Sequence, residues 1–178
     1  PSVGGVVGRP IQVCVIGGGY WGPNLIGNFD TLVGADLAAV ADMAAERRAW
    51  VSRHFQRARV YEDHRELLDS DVEAVVVATP VHTHHAIARD ALMANKHVLV
   101  EKPLAPSAEA CRELIQLAAE RGLRLMVGHT FLYHPAVREL RRLVQEGDLG
   151  RVYYVDGARL NLGLFQRYVN VTWVLAPQ

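Results

Sequence analysis

Apolar residues fall along this chain in short β-branched runs, separated by longer segments of helical periodicity. Ile11 to Ile16 reads as a buried parallel strand that passes through a glycine turn into a helix ending near Phe29. Pro23 suits the first turn of that helix, where its missing amide has no intrahelical partner. Ala35 to Ala41 predicts a second strand. Ala44 to about Phe55 predicts a second helix, with Ala45, Ala49 and Trp50 near one face. Val60 and Tyr61 read as a short third strand, and Asp63 with Glu66 as a capping box opening a brief helix that holds Leu67 and Leu68. Ala74 to Ala78, with three consecutive valines, is the clearest strand. A helix starts near Thr83 and runs through Ala94, and His97 to Val100 forms the next strand. Ser107 caps a helix to Glu120 that Gly122 stops, and Leu123 to Val127 follows as a strand.

Strict alternation with short turns predicts an α/β, doubly wound parallel sheet with right-handed crossovers. Beyond Gly128 the pattern changes. Pro135 to about Glu146 reads as helix, Gly147 to Gly150 as a turn, and Arg151 to Leu160 alternates like an antiparallel strand. The expected organisation is a flexible tail over 1–10, a dinucleotide-binding domain over 11–128, and over 129–178 the incomplete start of an α+β domain for substrate binding and oligomerisation.

Composition narrows the function classes. Half of the 178 residues are hydrophobic, enough for a sizeable core, and nineteen basic residues balance nineteen acidic ones. Such a balance favours neither nucleic acid nor a membrane as partner, and no apolar run approaches the length of a bilayer span. Only Cys14 and Cys111 occur, and both fit core positions. There is no disulfide framework and no CxxC pair, so a reducing, cytoplasmic setting is expected.

Candidate chemistry clusters at the predicted strand ends. The stretch VCVIGGGYWGPN carries the spacing Gly17-x-Gly19-x-x-Gly22 between a strand and a helix. This arrangement lets backbone amides approach a pyrophosphate and aims a helix N-terminus at it. Asp42 ends the second strand, twenty positions beyond Gly22, where a carboxylate can accept hydrogen bonds from the adenosine ribose. It would repel a 2′-phosphate, so NAD is favoured over NADP, with Arg47 and Arg48 further along the helix as the opposing feature. Thr79-Pro80 and Glu101-Lys102-Pro103 lie at two further strand ends, the side on which ligands bind an open α/β sheet. Lys102 there could position a hydroxyl or carbonyl or take part in proton transfer, or belong to a charged loop before a proline. His82, His84 and His85 lack recognisable metal-ligand spacing, and a helix-start or cofactor-lining role is expected instead. His129 and His134 flank the domain junction, where either lines a cleft or caps the following helix.

With these motifs in place the chain resembles the Gfo/Idh/MocA family of nicotinamide-dependent oxidoreductases. The matching pieces are VIGGGYWGPN, the acid in AAVADMAAERR, VVVATPVHTHHAIA, HVLVEKPLA and LMVGHTFLYHPAV, in the family's order. GYWGPN, RLNLG and WVLAP look most like the branch acting on UDP-N-acetylglucosamine or its uronic acid, which oxidises the sugar's 3-hydroxyl with NAD. The resemblance implies that Gly17, Gly19, Tyr20, Trp21 and Gly22 hold the pyrophosphate and Asp42 the adenosine ribose. It implies that Thr79, Pro80 and His82 line the adenosine and nicotinamide path, and that Glu101 meets the nicotinamide ribose. Lys102 would approach both nicotinamide and substrate as the catalytic residue. His129, Arg159, Asn161 and Arg167 would face a sugar or sugar nucleotide, and a homo-oligomer is implied.

The chain departs from the family pattern near its end. Where the branch reads roughly WDLAPHD, this sequence has Trp173-Val174-Leu175-Ala176-Pro177-Gln178, and an upstream aspartate is Tyr168. Val174 and Gln178 thus replace an acid and the histidine that would share acid–base work with the lysine. Full members also continue well beyond this length, which implies truncation before the substrate domain is complete. The alternative to an active dehydrogenase is therefore a catalytically silent NAD-binding module.

Overall fold

A computed structural model describes residues 8–158. In chain order the elements are β1 (Ile11–Ile16), α1 (Gly22–Thr31), β2 (Ala35–Ala41), α2 (Ala45–His54), β3 (Arg59–Tyr61), α3 (His64–Leu68) and β4 (Ala74–Val77). They continue with α4 (Val81–Met93), β5 (His97–Val100), α5 (Ala108–Glu120), β6 (Leu125–Val127), a 3-10 turn (Thr130–Tyr133) and α6 (Pro135–Gln145). The six strands form one sheet in the order β3-β2-β1-β4-β5-β6, and every neighbouring pair is parallel. This is the doubly wound Rossmann-like arrangement, with the strand order reversing between β1 and β4.

Consecutive strand residues point to opposite faces, so an all-apolar strand feeds two cores at once. Cys14, Ile16, Ala39, Ala41, Val75, Val77, Val98 and Val100 face one way, packing with Leu67 of α3, Leu92 of α4 and Leu114 of α5. Val13, Val15, Leu37, Val40 and Val76 face the other way and pack with Ile26 of α1 and Val51 of α2. Full burial of one such side chain is worth about 1.5–3 kcal/mol, and this layering fixes the sheet. Burial also holds the Cys14 thiol well above its ordinary pKa, as befits an inert core residue.

Local signals account for most boundaries. Ser107 caps α5 by accepting from Ala110 N at 3.2 Å, and Gly122 beyond its end has φ +64°. Asp63 caps α3 by accepting from Arg65 N at 2.9 Å. The helix after β4 starts earlier than Thr83, because Pro80 in extended conformation releases the chain directly into α4. Thr83 instead hydrogen-bonds back to Pro80 O and Thr79 Oγ1, both at 2.7 Å.

The chain divides into two compact units after Gly128. In the second, α6 places Val137, Leu140 and Val144 on an exposed stripe at helical spacing. The alternating segment Arg151 to Leu160 does not form the expected strand over its described part, residues 151–158, and its last two residues lie outside the described residues. Residues 151–158 pair with no strand among the described residues, and alternation without a partner ladder does not hold a strand. Among the described residues no helix is long and apolar enough to cross a membrane.

Candidate cofactor site at the sheet's switch point

The carboxyl ends of β1 and β4 lie side by side where the strand order reverses, and the glycine turn fills the space above them. Gly17 has φ +100°, and a Cβ there would sit 2.7 Å from Ala78 O and 2.9 Å from Thr79 N, against backbone that cannot yield. A Cβ on Gly22 would run into the carbonyl oxygen of Gly17. These two glycines allow the turn to close. Gly19 differs: a Cβ there meets nothing within 4 Å, so it borders open space above the turn.

Helix α1 begins directly behind this turn. Its N-cap, Trp21, makes no side-chain capping bond, and the first turn holds no acidic residue. Pro23 brings no N–H to the first turn and Asn24 N already donates to Trp21 O at 3.1 Å, so an anion placed here would be favoured chiefly by the positive dipole end of the helix. Tyr20 and Trp21 are both exposed beside the turn.

Asp42, at the end of β2, is drawn into the same loop. Its Oδ2 accepts from Gly18 N at 2.6 Å and its Oδ1 from Ala44 N at 2.7 Å. One lone pair on each oxygen remains for a further donor. Arg48 braces the strand end by donating to Asp42 O at 2.9 Å and Met43 O at 2.7 Å, and it pairs with Glu62 at 2.8 Å. Its guanidinium is thereby committed to the loop. Arg47 lies nearer the turn, its Cβ 3.6 Å from a Cβ position on Gly18.

On the other side of the switch point, β4 leads through Ala78 into Thr79-Pro80 and β5 into Glu101-Lys102-Pro103, with a cis peptide between Lys102 and Pro103. Glu101 N donates to Val77 O at 2.9 Å, which extends the β4–β5 ladder by one step. The Glu101 carboxylate lies across Gly128: a Cβ on that glycine would be 2.9 Å from Oε1. Lys102 is exposed on the loop.

The three histidines of α4 separate. His82 is exposed near the helix start, His84 is buried, and Nε2 of His85 meets Glu113 Oε2 at 2.9 Å on α5. Among the described residues no group of three or more His, Cys, Asp or Glu is arranged to hold a metal. His134 takes the capping role, its Nδ1 accepting from Ala136 N at 3.2 Å. His129 is exposed at the start of the second unit. Arg159, Asn161 and Arg167 lie outside the described residues, as do Tyr168, Val174 and Gln178.

Three participants escaped the sequence reading. Gly18 was hidden between two motif glycines, Gly128 carried no local pattern, and His84 was read with its neighbours. A signal for His84 was present, since it precedes Ile87, Ala88, Ala91 and Leu92 at the spacing of the buried face of α4.

This geometry has close counterparts. The profile of the Gfo/Idh/MocA oxidoreductase family, described as an NAD-binding Rossmann fold, matches residues 11–129. Inositol 2-dehydrogenase 2 of Saccharopolyspora erythraea is 35% identical over 86% of this chain and 46% of its own length. Scyllo-inositol dehydrogenase from Lactobacillus casei, solved with NAD(H) and scyllo-inositol, superposes with a TM-score of 0.76 at 26% identity, over 80% of this chain and 43% of that one. A 3-ketoreductase from Actinomadura kijaniata, solved with NADP and TDP-benzene, gives a TM-score of 0.72 at 33% identity, over 78% and 43% of the two chains. The chain thus spans less than half the length of these relatives. With its glycine turn, the acid that ends β2 and its strand order in place, the chain belongs to the Gfo/Idh/MocA oxidoreductase family with its NAD-binding Rossmann fold.

Proposed function

We propose that this chain is the cofactor-binding part of an NAD-dependent oxidoreductase that exchanges a hydride with a hydroxyl of a sugar or sugar nucleotide. The observation carrying this reading is the interlock of Gly18 with Asp42 at the switch point, facing the ends of β4 and β5. Gly17 and Gly22 keep the turn closed, and Gly19 leaves the approach to it open. Tyr20 and Trp21 flank the pyrophosphate, while the remaining lone pairs of Asp42 receive the adenosine ribose hydroxyls. Thr79, Pro80 and His82 line the path toward the nicotinamide, and Glu101 accepts from its ribose.

NAD is favoured over NADP because the Asp42 carboxylate occupies the ribose side and Arg48 is spent on carbonyls and Glu62. Bound there, the nicotinamide supplies the hydride chemistry. Lys102 supplies the proton chemistry: it takes the proton of the substrate hydroxyl during oxidation and returns it during reduction.

The finer substrate assignment is the C3 hydroxyl of a UDP-amino sugar. It rests on GYWGPN, RLNLG and WVLAP, and it gains support from the likeness to a 3-ketoreductase solved with a TDP compound. The likeness to inositol dehydrogenases favours a polyol instead. His129, Arg159, Asn161 and Arg167 are the residues proposed to face the substrate, and residues 129–178 to open its domain. Self-association is part of the proposal, supported by the exposed stripe Val137, Leu140 and Val144, and light scattering tests it.

A second reading is a silent NAD-binding module, favoured by Val174 and Gln178 in place of the family's acid and histidine. Calorimetry with NAD, on the natural chain and on Gly19→Val, tests binding; equal heats for both, or none for either, would sink the cofactor site. Reduction of NAD by a UDP-amino sugar, lost in Lys102→Ala, separates enzyme from silent module.

A further inference from the structure

His84 is 1% exposed, the one buried polar side chain among the described residues. Its ring bridges two backbone carbonyls: Nδ1 lies 2.8 Å from Pro103 O, and Nε2 lies 2.8 Å from Thr79 O. A carbonyl oxygen can only accept. Neutral imidazole has one N–H and one lone pair, so it serves one of these oxygens and sets its lone pair against the other. Turning the ring over places two carbons against the oxygens and leaves both with weak C–H contacts. The imidazolium alone donates to both.

We propose that His84 is a doubly protonated clamp tying the end of β4 to the loop after β5, and through it a positioning residue for Glu101 and Lys102. The positioning half rests on the cofactor reading given above; the protonation half stands on the ring geometry alone. The β4–β5 ladder closes with Val77 opposite Val100 and the bond from Glu101 N to Val77 O. Beyond that point His84 takes over, gripping Pro103 one residue past Lys102 and Thr79 two residues past Val77. Both segments proposed to meet the nicotinamide half of the cofactor therefore hang from one ring.

Two forces oppose a cation here. Burial disfavours charge, and the first turn of α4 is the positive end of the helix dipole. Against them stand two charge-assisted bonds at 2.8 Å, each about twice as strong as a neutral one. On α3, α4 and α5, His64 pairs with Asp90, and His85 and Arg89 pair with Glu113. None of these supplies an acceptor that would spare either carbonyl.

The test uses the full 178-residue chain with nitrogen-15 in its histidines. At pH 7 a long-range proton–nitrogen spectrum should show both ring nitrogens of His84 protonated; one protonated and one bare nitrogen would overturn the clamp. Calorimetry with NAD on His84→Gln tests positioning, because the glutamine amide donates on one side only. The expected loss in affinity is about tenfold, the scale of one charge-assisted bond, and unchanged affinity in a folded variant overturns the positioning role. Should that variant not fold, NAD is titrated into the natural chain, and the His84 N–H signals should move on binding; signals that stay put count against positioning. A natural chain that bound no NAD would sink the cofactor reading and the positioning role together, while the ring spectrum still decides the protonation.

Discussion

The amide of Gly18 donates to Oδ2 of Asp42 at 2.6 Å, joining the turn after β1 to the end of β2. The acid thus shapes the glycine loop while each of its oxygens keeps a lone pair for a further donor. Asp42→Ala removes this bond and the one from Ala44 N together. Each hydrogen bond to a charged group is worth about 1.5–3 kcal/mol, and partial exposure here puts the folding cost nearer ~1–2 kcal/mol. NAD affinity should fall by about tenfold or more, with NADP affected less because the repulsive carboxylate is gone. Thermal unfolding and paired calorimetric titrations check both halves. An unchanged preference between the two cofactors would remove Asp42 from the ribose site.

Glycines of the turn should separate into two kinds. Gly22→Ala forces a methyl into the Gly17 carbonyl, and Gly17→Ala puts one against Ala78 O at a φ of +100°. Both should cost ~1–3 kcal/mol of stability through backbone strain and overpacking. Gly19→Ala meets no neighbour and should melt like the natural chain. It should nevertheless bind NAD less well, because its methyl intrudes where a pyrophosphate must come close. A Gly19→Ala chain with natural stability and natural affinity would mean that the open space beside Gly19 is not the pyrophosphate path.

Periodicity served best where one force dominates. β1, β2 and β5 run from Ile11, Ala35 and His97 as the apolar runs predict, because a strand buried on both faces has no other environment available. The Gly17-x-Gly19-x-x-Gly22 spacing located the turn, since its backbone geometry admits no side chain at the first and last positions. What stayed illegible depends on partners distant in sequence. The grip of His84 on Pro103 spans nineteen positions, and Gly128 touches Glu101 only because β5 and β6 are neighbours. Residues 151–158 departed from the expected strand for the converse reason: alternation describes a face, and a strand also requires a ladder.

Gly128 should prove to be a device for placing Glu101. A methyl there would stand 2.9 Å from Oε1 and 3.2 Å from Cδ of that side chain, whose far end can swing away. Gly128→Ala should therefore leave stability within about 1 kcal/mol of the natural chain, as for a substitution that displaces one flexible group. If Glu101 meets the nicotinamide ribose, NAD affinity should drop severalfold while the melting temperature holds. Loss of stability with unchanged affinity would assign Glu101 to the scaffold instead.

Glu113 links α5 to α4 by accepting from His85 Nε2 at 2.9 Å and Arg89 Nε at 3.1 Å. The hydrogen bond from His85, opposed by a little desolvation and aided by Arg89, holds its carboxyl below the usual carboxylate range. A carboxylate whose pKa is lowered by folding binds fewer protons in the native chain than in the unfolded one. Its contribution is complete above the unfolded value of about 4.3 and is lost as pH falls through the lower, folded value. Glu113→Gln keeps the shape and removes the titration. The natural chain should lose more melting temperature between pH 5 and pH 3 than the variant does, while near pH 7 the variant should be slightly the less stable. Asp63 and Asp71, similarly lowered by Arg65 N and by Arg59, remain in the variant, so its acid sensitivity should shrink without vanishing. Identical losses in the two chains would show that the α4–α5 bridge contributes nothing to acid stability.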